Sequence, residues 1–369
     1  MGLDYTSRLQ KIEAVLQKSL PSNPDEGWFS RNFFADKHGF TESPETMALV
    51  YPLLEPGLDL LNRGGKRWRP LLALLICESL GGGDAVLPLS PLVEFCHNAS
   101  LIHDDIEDNS VERRGKPAVH LLYGTDTAIN SACFLYFLPL SCIDGWDAPD
   151  GAKLKLYSVW ARELRSLHLG QSLDIAWHRN IETLPSVADY YRMCALKTGV
   201  LARFAVNAGY LSASLSAADG LADAPALPEL EKAARNLGVG FQILDDVKNL
   251  VEGVPGKKRG DDIIEGKKSL PVLLYLHGAA AGGVEAERRR RLVSRCFKVC
   301  KSAAPGAPPP PEAEELISAL DKAGCLEKAA EEGRGLLSQA ENIFSRIGFA
   351  GKPSTEAQEL LAGFSGLIG

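Results

Sequence analysis

The chain has 369 residues and a formal charge of −7, with 45% hydrophobic and 24% charged residues. These are the proportions of an ordinary globular protein; they exclude a collagen-like, disordered or disulfide-stapled chain. The mildly acidic balance gives no reason to expect nucleic acid as a partner.

Residues 1–45 show no sustained periodicity, so a short helix and a variable arm are expected there. The opening MGLDYTSRLQKIEAVLQKSL lacks the basic cap and apolar core of a secretory leader. Eight cysteines occur without a Cys-x-x-Cys pair, and Cys296 and Cys300 have no partners placed to complete a zinc site. Reduced thiols in a cytoplasmic protein are the expectation. Residues 46–369 read as one domain. Apolar residues recur at helical spacing in Met47–Leu61, Trp68–Leu80, Leu87–Ile106, Asp126–Ile143, Ala152–Trp177, Val187–Leu211, Leu227–Val251 and Leu326–Ile347. Strand patterns are scarce, which predicts an all-α fold, a bundle of long helices. No stretch reaches the ~18 uninterrupted apolar residues of a membrane span. Ser131–Ile143 comes nearest and contains Pro139. Arg288–Arg291 has no interleaved aromatic residues and reads as a solvated helix face near glutamates. Ala303–Pro311 is rich in Pro, Ala and Gly and reads as a mobile surface loop.

The chemistry concentrates in a few segments. Asp104, Asp105 and Asp108 close the apolar helix Leu87–Ile106. Asp104 and Asp108 lie one turn apart on one face, at the end where the helix dipole is already negative. Carboxylates placed so badly for a bare helix need a cation. Hard oxygen ligands suit Mg²⁺, which keeps some waters and bridges to phosphates. Asp245, Asp246 and Asn249 repeat the pattern at the end of a second apolar helix. One such cluster is explained by a solvated helix terminus; two with the same spacing are not. Basic residues recur at Lys66–Arg69, Arg113–Arg114, Lys197 and Lys257–Arg259. Together they point to a cavity that holds Mg²⁺ and more than one phosphate group.

Six ordered segments, GGKRWRP, HNASLIHDDIEDNSVERRGKPAVH, GQSLDI, LKTG, GFQILDDVKNL and GKKRGDDIIEGKKSLP, resemble the trans-isoprenyl diphosphate synthases. The similarity is strongest to the eukaryotic-type geranylgeranyl diphosphate synthases, which also carry Asn at the position of Asn249. The resemblance implies the isoprenoid synthase fold, with a central cavity, and Mg²⁺-dependent head-to-tail condensation of isopentenyl diphosphate with an allylic diphosphate. It assigns Asp104, Asp108 and Asp245 to about three Mg²⁺ on the allylic diphosphate, with Asp105, Asp246 and Asn249 as weaker or supporting ligands. Arg113, Lys197 and Lys257 would bind that diphosphate. Lys66, Arg69, His97 and Arg114 would hold isopentenyl diphosphate without metal, and Thr198 and Gln242 would aim dipoles at the carbocation. A homodimer is the family's usual state. The tail GFSGLIG lacks the basic end that some members use as a lid.

Product length would be set by the wall beside the Asp104 helix, stepping back through Ser100 and Ala99, Cys96 and Leu92. One turn advances about 5.4 Å, close to one isoprene unit. The first turns are small, which argues against a C15 stop. Tyr136, Phe137 and His168 resemble the floor of C20 enzymes, so geranylgeranyl diphosphate is the expected product. A longer product, and a terpene cyclase or aromatic prenyltransferase on the same fold, are the alternatives. A silent partner subunit is a further one, disfavoured because both aspartate clusters are kept.

Overall fold

The computed structural model describes residues 5–33, 44–216, 227–253, 259–280, 282–302, 309–347 and 355–368. Helices α1 (Thr6–Ser19) and α2 (Glu26–Asn32) lead into α3 (Pro44–Asn62), α4 (Trp68–Ser79) and α5 (Ser90–Glu107). A small antiparallel hairpin, β1 (Glu112–Arg113) and β2 (Lys116–Pro117), follows at once. Next come α6 (Val119–Tyr123), α7 (Thr125–Phe137), α8 (Ser141–Asp144) and the 30-residue α9 (Asp150–Arg179). The second half holds α10 (Val187–Lys197), α11 (Gly199–Ser216), α12 (Leu227–Val251), α13 (Asp261–Ile264) and α14 (Leu270–His277). The chain then runs through α15 (Val284–Lys301), α16 (Pro311–Lys322), α17 (Cys325–Phe344), α18 (Glu356–Ala362) and α19 (Ser365–Ile368). The fold is all-α, with the hairpin as its one sheet among the described residues.

Helix α4 is the centre of the packing. It is buried along nearly its whole length, as its sequence LLALLIC demands, and it rests on α11 and α18. Each fully buried leucine there contributes about 1.5–3 kcal/mol. Helix α11 in turn packs on α12, and α12 on α17. The crossings are close: a Cβ on Gly238 would fall 2.6 Å from Gly199 Cα. Glycine at 238 lets the two backbones meet.

The same closeness explains a departure from the periodicity. Val187–Leu211 reads as one helix, yet the structure ends α10 at Lys197 and starts α11 at Gly199. The interruption leaves Lys197 and Thr198 at a junction, and both line the cavity described below.

Within residues 1–45, α1 is the short helix expected there. Ile12 and Leu16 of α1 are fully buried in the main core, against α4 and α5. Leu9, Ile12 and Leu16 form a short apolar stripe between charged residues, which makes α1 part of the packed body.

At the other end of the apolar scale, Thr125–Asp144 is long and apolar enough to cross a membrane by length and composition, although no such stretch was expected. Its most apolar window is 44% buried, against α3 and α5, and a tighter turn at Leu138–Leu140 interrupts it. Arg288 and Arg291 lie on the solvated face of α15, paired with Glu285 and Glu287. Of the Ala303–Pro311 stretch, residues 303–308 lie outside the described residues. Pro311 is not loop but the first residue of α16, where its missing N–H costs nothing.

Candidate active site

A cavity of about 410 Å³ opens where the end of α5, the hairpin, α9, the α10–α11 junction, α12 and residues 262–269 meet. Lys66, Arg69, His97, Ser100, Asp104, Arg113, Arg114, Tyr136, His168, Lys197, Thr198, Gln242, Asp245 and Asp246 all line it. Its polar wall divides into two halves of opposite electrostatic character.

In the first half, acids and bases compensate one another. Asp104 accepts hydrogen bonds from Lys197 Nζ (3.0 Å) and Gln171 Nε2 (3.0 Å). Lys197 also reaches Asp174 at 2.7 Å. Burial opposes the lysine's charge, but Asp104 and Asp174 more than offset it and raise its pKa. Asp108 pairs with Lys267 at 3.0 Å, and Arg113 Nε donates to the fully buried Asp105 at 2.9 Å. Asp246 accepts from Tyr190 Oη (2.7 Å) and Gln242 Nε2 (2.8 Å). Burial, with Asp262 nearby, pushes the Asp246 pKa up to about 7. Thr198 Oγ1 donates to Gln242 Oε1 at 2.7 Å, so these two side chains share one orientation.

In the second half, positive charge is only partly compensated. Arg69 is buried over the Trp68 ring, 4.2 Å from its centroid, and its Nε has no hydrogen-bond partner among the described residues. Burial, only partly countered by Glu94, pushes the pKa of Arg69 down to about 10, with Arg114 adding to the fall. Arg114 is lowered to about 10 for the same reasons, burial first and Arg67 among its neighbours. Burial and these guanidiniums hold His97 well below the ordinary histidine range, so its ring is neutral at pH 7. Glu94 itself is held by Arg67 at 3.0 Å. Guanidiniums that line a cavity and are only partly offset by an acid suit an anion with planar or tetrahedral oxygens.

Below the charged wall lies a more apolar lobe of Ser100, Leu101, Tyr136, Leu167, Met193, Leu201 and Phe241. The Tyr136 ring is flanked by His103 (centroids 5.8 Å apart) and His168 (5.3 Å).

Several expected residues sit elsewhere. Phe137 is 59% exposed with its ring on Trp160, because one step along α7 from Tyr136 turns the side chain about 100° away. Cys96, Ala99 and Leu92 are fully buried in the core behind the wall rather than on it. Asn249 is buried one turn below Asp245, where its Oδ1 accepts the Asp262 N–H (3.2 Å) and ties α13 to α12. Asp105 and Asp108 likewise do not line the cavity; they face the cations just named. Lys257 lies outside the described residues.

The sequence reading passed over Gln171 and Asp174, although both stand in GQSLDI. With His168 and His178 they form a polar stripe at three- and four-residue spacing on an otherwise mixed helix, a legible signal. Lys267 and Lys268 stand in GKKSLP and were also passed over. Lys268 is buried, with Nζ bonded to the carbonyls of Trp177 (3.1 Å) and Gly266 (3.3 Å) and 4.6 Å from the Phe297 ring centroid. Burial pushes its pKa down to about 8, against Asp174 and Glu182. A lysine lowered on folding binds fewer protons folded than unfolded between about pH 8 and its ordinary value near 10.4, so it makes stability rise with pH across that window. Lys268→Met should flatten this rise, removing up to about 3 kcal/mol of pH dependence. Thermal midpoints of both proteins at pH 7, 8.5 and 10 check it; parallel curves would contradict it.

Among the described residues, no group of three His, Cys, Asp or Glu side chains converges to hold a metal by itself. The donor set still fits Mg²⁺: Asp104 and Asp245 present hard oxygens to the cavity from different helices. Ions there would complete their shells with phosphate oxygens and water.

The polyprenyl synthetase family model matches residues 51–294. The chain belongs to the polyprenyl synthetase family. Its class of reaction is therefore prenyl transfer. A geranylgeranyl pyrophosphate synthase of Eremothecium gossypii is 38% identical over 226 residues, 60% of this chain and 68% of that protein. A geranylfarnesyl diphosphate synthase of Aeropyrum pernix is 30% identical over 316 residues, 82% of this chain and 90% of that one. The fold matches a polyprenyl synthase of Caulobacter crescentus solved with calcium and isoprenyl diphosphate, at TM-score 0.73 and 22% identity, covering 98% and 94% of the two chains.

Proposed function

We propose that this polyprenyl synthetase condenses isopentenyl diphosphate with an allylic diphosphate and releases geranylgeranyl diphosphate. The observation that carries the reading is the division of the cavity wall. One half offers carboxylates already matched to cations, suited to a diphosphate that arrives with Mg²⁺. The other offers Arg69 and Arg114 with their charge only partly offset by Glu94, which Arg67 already holds, suited to a diphosphate that arrives without metal.

On this reading Asp104 and Asp245 would hold Mg²⁺, about three ions with Asp108 joining once Lys267 yields it. When bound, the metal supplies charge stabilisation for the departing diphosphate. Arg113 and Lys197 would grip that diphosphate, with Lys257 as a further candidate. Lys66, Arg69, His97 and Arg114 would orient the second substrate so that its double bond faces the allylic carbon. As the allylic C–O bond breaks, the Thr198 and Gln242 oxygens would turn their dipoles toward the cation. The departing diphosphate then takes the proton released when the new double bond forms.

Small Ser100 leaves the lobe open beside α5, and Tyr136 with His168 would end it at C20. The Aeropyrum relative favours the second reading, a C25 product. Labelled isopentenyl diphosphate with C5, C10 and C15 primers separates the two. Chains that stop at C20 support the floor, and C25 or longer chains discard it. No incorporation with consumption of the primer would mean a cyclase or aromatic prenyltransferase. Ser100→Phe should shorten the main product to C15; an unchanged product would place the pocket elsewhere.

A homodimer fits Ile129, Cys133 and Phe137, which stand exposed at four-residue steps on α7. Eight free thiols fit a reducing, cytoplasmic setting.

A further inference from the structure

The arginines that meet the two halves of the cavity, Arg113 and Arg114, are neighbours on a hairpin too small to hold itself. Its strands are two residues each, and Arg114 and Gly115 turn it with φ of 54° and 74°. A pair this short is not stable without outside support. Arg113 is held by Asp105 and Arg114 by the Leu60 carbonyl, and the backbone of both strands is held by Arg63, three residues before Lys66. Its side chain is fully enclosed and does not line the cavity. Nη1 donates to the carbonyls of Arg113 (3.0 Å) and Pro117 (2.9 Å), one on each strand. Nε donates to Asp59 Oδ2 at 3.1 Å, one turn back on α3. The planar fork thus bridges helix to both strands at once, which a single-point donor does less well.

We propose that Arg63 is a positioning residue for both substrates. It fastens the hairpin to the end of α3 and so sets where Arg113 and Arg114 present their guanidiniums. Asp59 aims it. The proposal rests on the reading of those two arginines as diphosphate ligands, and it adds a residue that touches neither diphosphate. Loss of the tether should weaken both substrates together, since one hairpin serves both.

The test compares Arg63→Ala, Arg63→Lys and Asp59→Asn with Arg203→Ala, which breaks a buried pair with Glu163 away from the cavity wall. Arg63→Ala should raise KM for isopentenyl and allylic diphosphate about tenfold each, with kcat within about threefold. Asp59→Asn should do the same more weakly and Arg63→Lys should recover part of the loss. In the unliganded protein, the amides of residues 111–116 and 118 should exchange hydrogen about tenfold faster in Arg63→Ala and at the wild-type rate in Arg203→Ala. Unchanged exchange in that segment, unchanged KM, or an equal KM rise in Arg203→Ala would overturn the proposal. Should the wild type show no prenyl transfer, the functional reading fails. Hydrogen exchange and calorimetry with inorganic pyrophosphate then decide the tether by themselves: weaker binding in Arg63→Ala supports it, equal binding refutes it.

Discussion

Asp104→Asn should lower kcat by about three orders of magnitude while leaving the fold intact. The substitution keeps the shape of the side chain, and an amide oxygen can still accept from Gln171. What it removes is the charge that Lys197 and Arg113 face at 3.0 and 3.6 Å, and with it a hard oxygen ligand. Preorganised charge around a developing diphosphate is the largest contribution such a site makes, and losing one element of it costs about 10²–10³ in rate. Lys197 keeps Asp174 at 2.7 Å, so the midpoint of thermal unfolding should move by only a few degrees. A matched Asp105→Asn separates the roles. Asp105 is fully buried beneath Arg113, so its neutralisation should destabilise by about 3 kcal/mol and act on rate through that arginine. Single-turnover rates across a Mg²⁺ titration check both. A rate loss under tenfold in Asp104→Asn would move the metal role to other carboxylates.

Arg69→Met should separate binding from stability in the opposite sense. In the unliganded protein Arg69 is a buried charge with an Nε unpartnered among the described residues and other guanidiniums nearby. Replacing it by an apolar chain of similar length relieves that cost, so the midpoint should hold or rise. The same change deletes charge-assisted bonds to a diphosphate, and KM for isopentenyl diphosphate should rise about hundredfold. KM for the allylic primer should change little, because Arg69 lies in the other half of the wall. A lowered midpoint would show that the cation–π contact with Trp68 outweighs the charge cost. Equal effects on both substrates would merge the two halves.

Much of this was legible because carboxylates at helix ends defy ordinary helix preferences. Asp104 and Asp245 stood out for that reason, Arg69 and Arg114 through basic clusters and the family resemblance, and all four face one cavity. The long apolar runs gave the helices. What sequence spacing could not supply was direction around a helix axis. Phe137 and Tyr136 are adjacent letters with opposite fates, one on solvent and one on the cavity. Asn249 shares the spacing of Asp108, but the backbone of Asp262 claims it. Residues that act through others left the faintest trace. Arg63 reaches the hairpin through two carbonyls, and carbonyls belong to every residue alike. The α10–α11 break was hidden too, since the crowding of Gly199 against Gly238 is a fact of two distant segments.

Helix α9 runs unbroken for 30 residues, with His168 at the apolar lobe and Asp174 at the lysine of the diphosphate wall. On the proposed function a single rod would carry both the gauge of the hydrocarbon and a post of the ionising machinery. Deleting or inserting one residue between them would swing one about 100° out of line with the other. Chain length would then be retuned by exchanging side chains on this rod, not by changing its length.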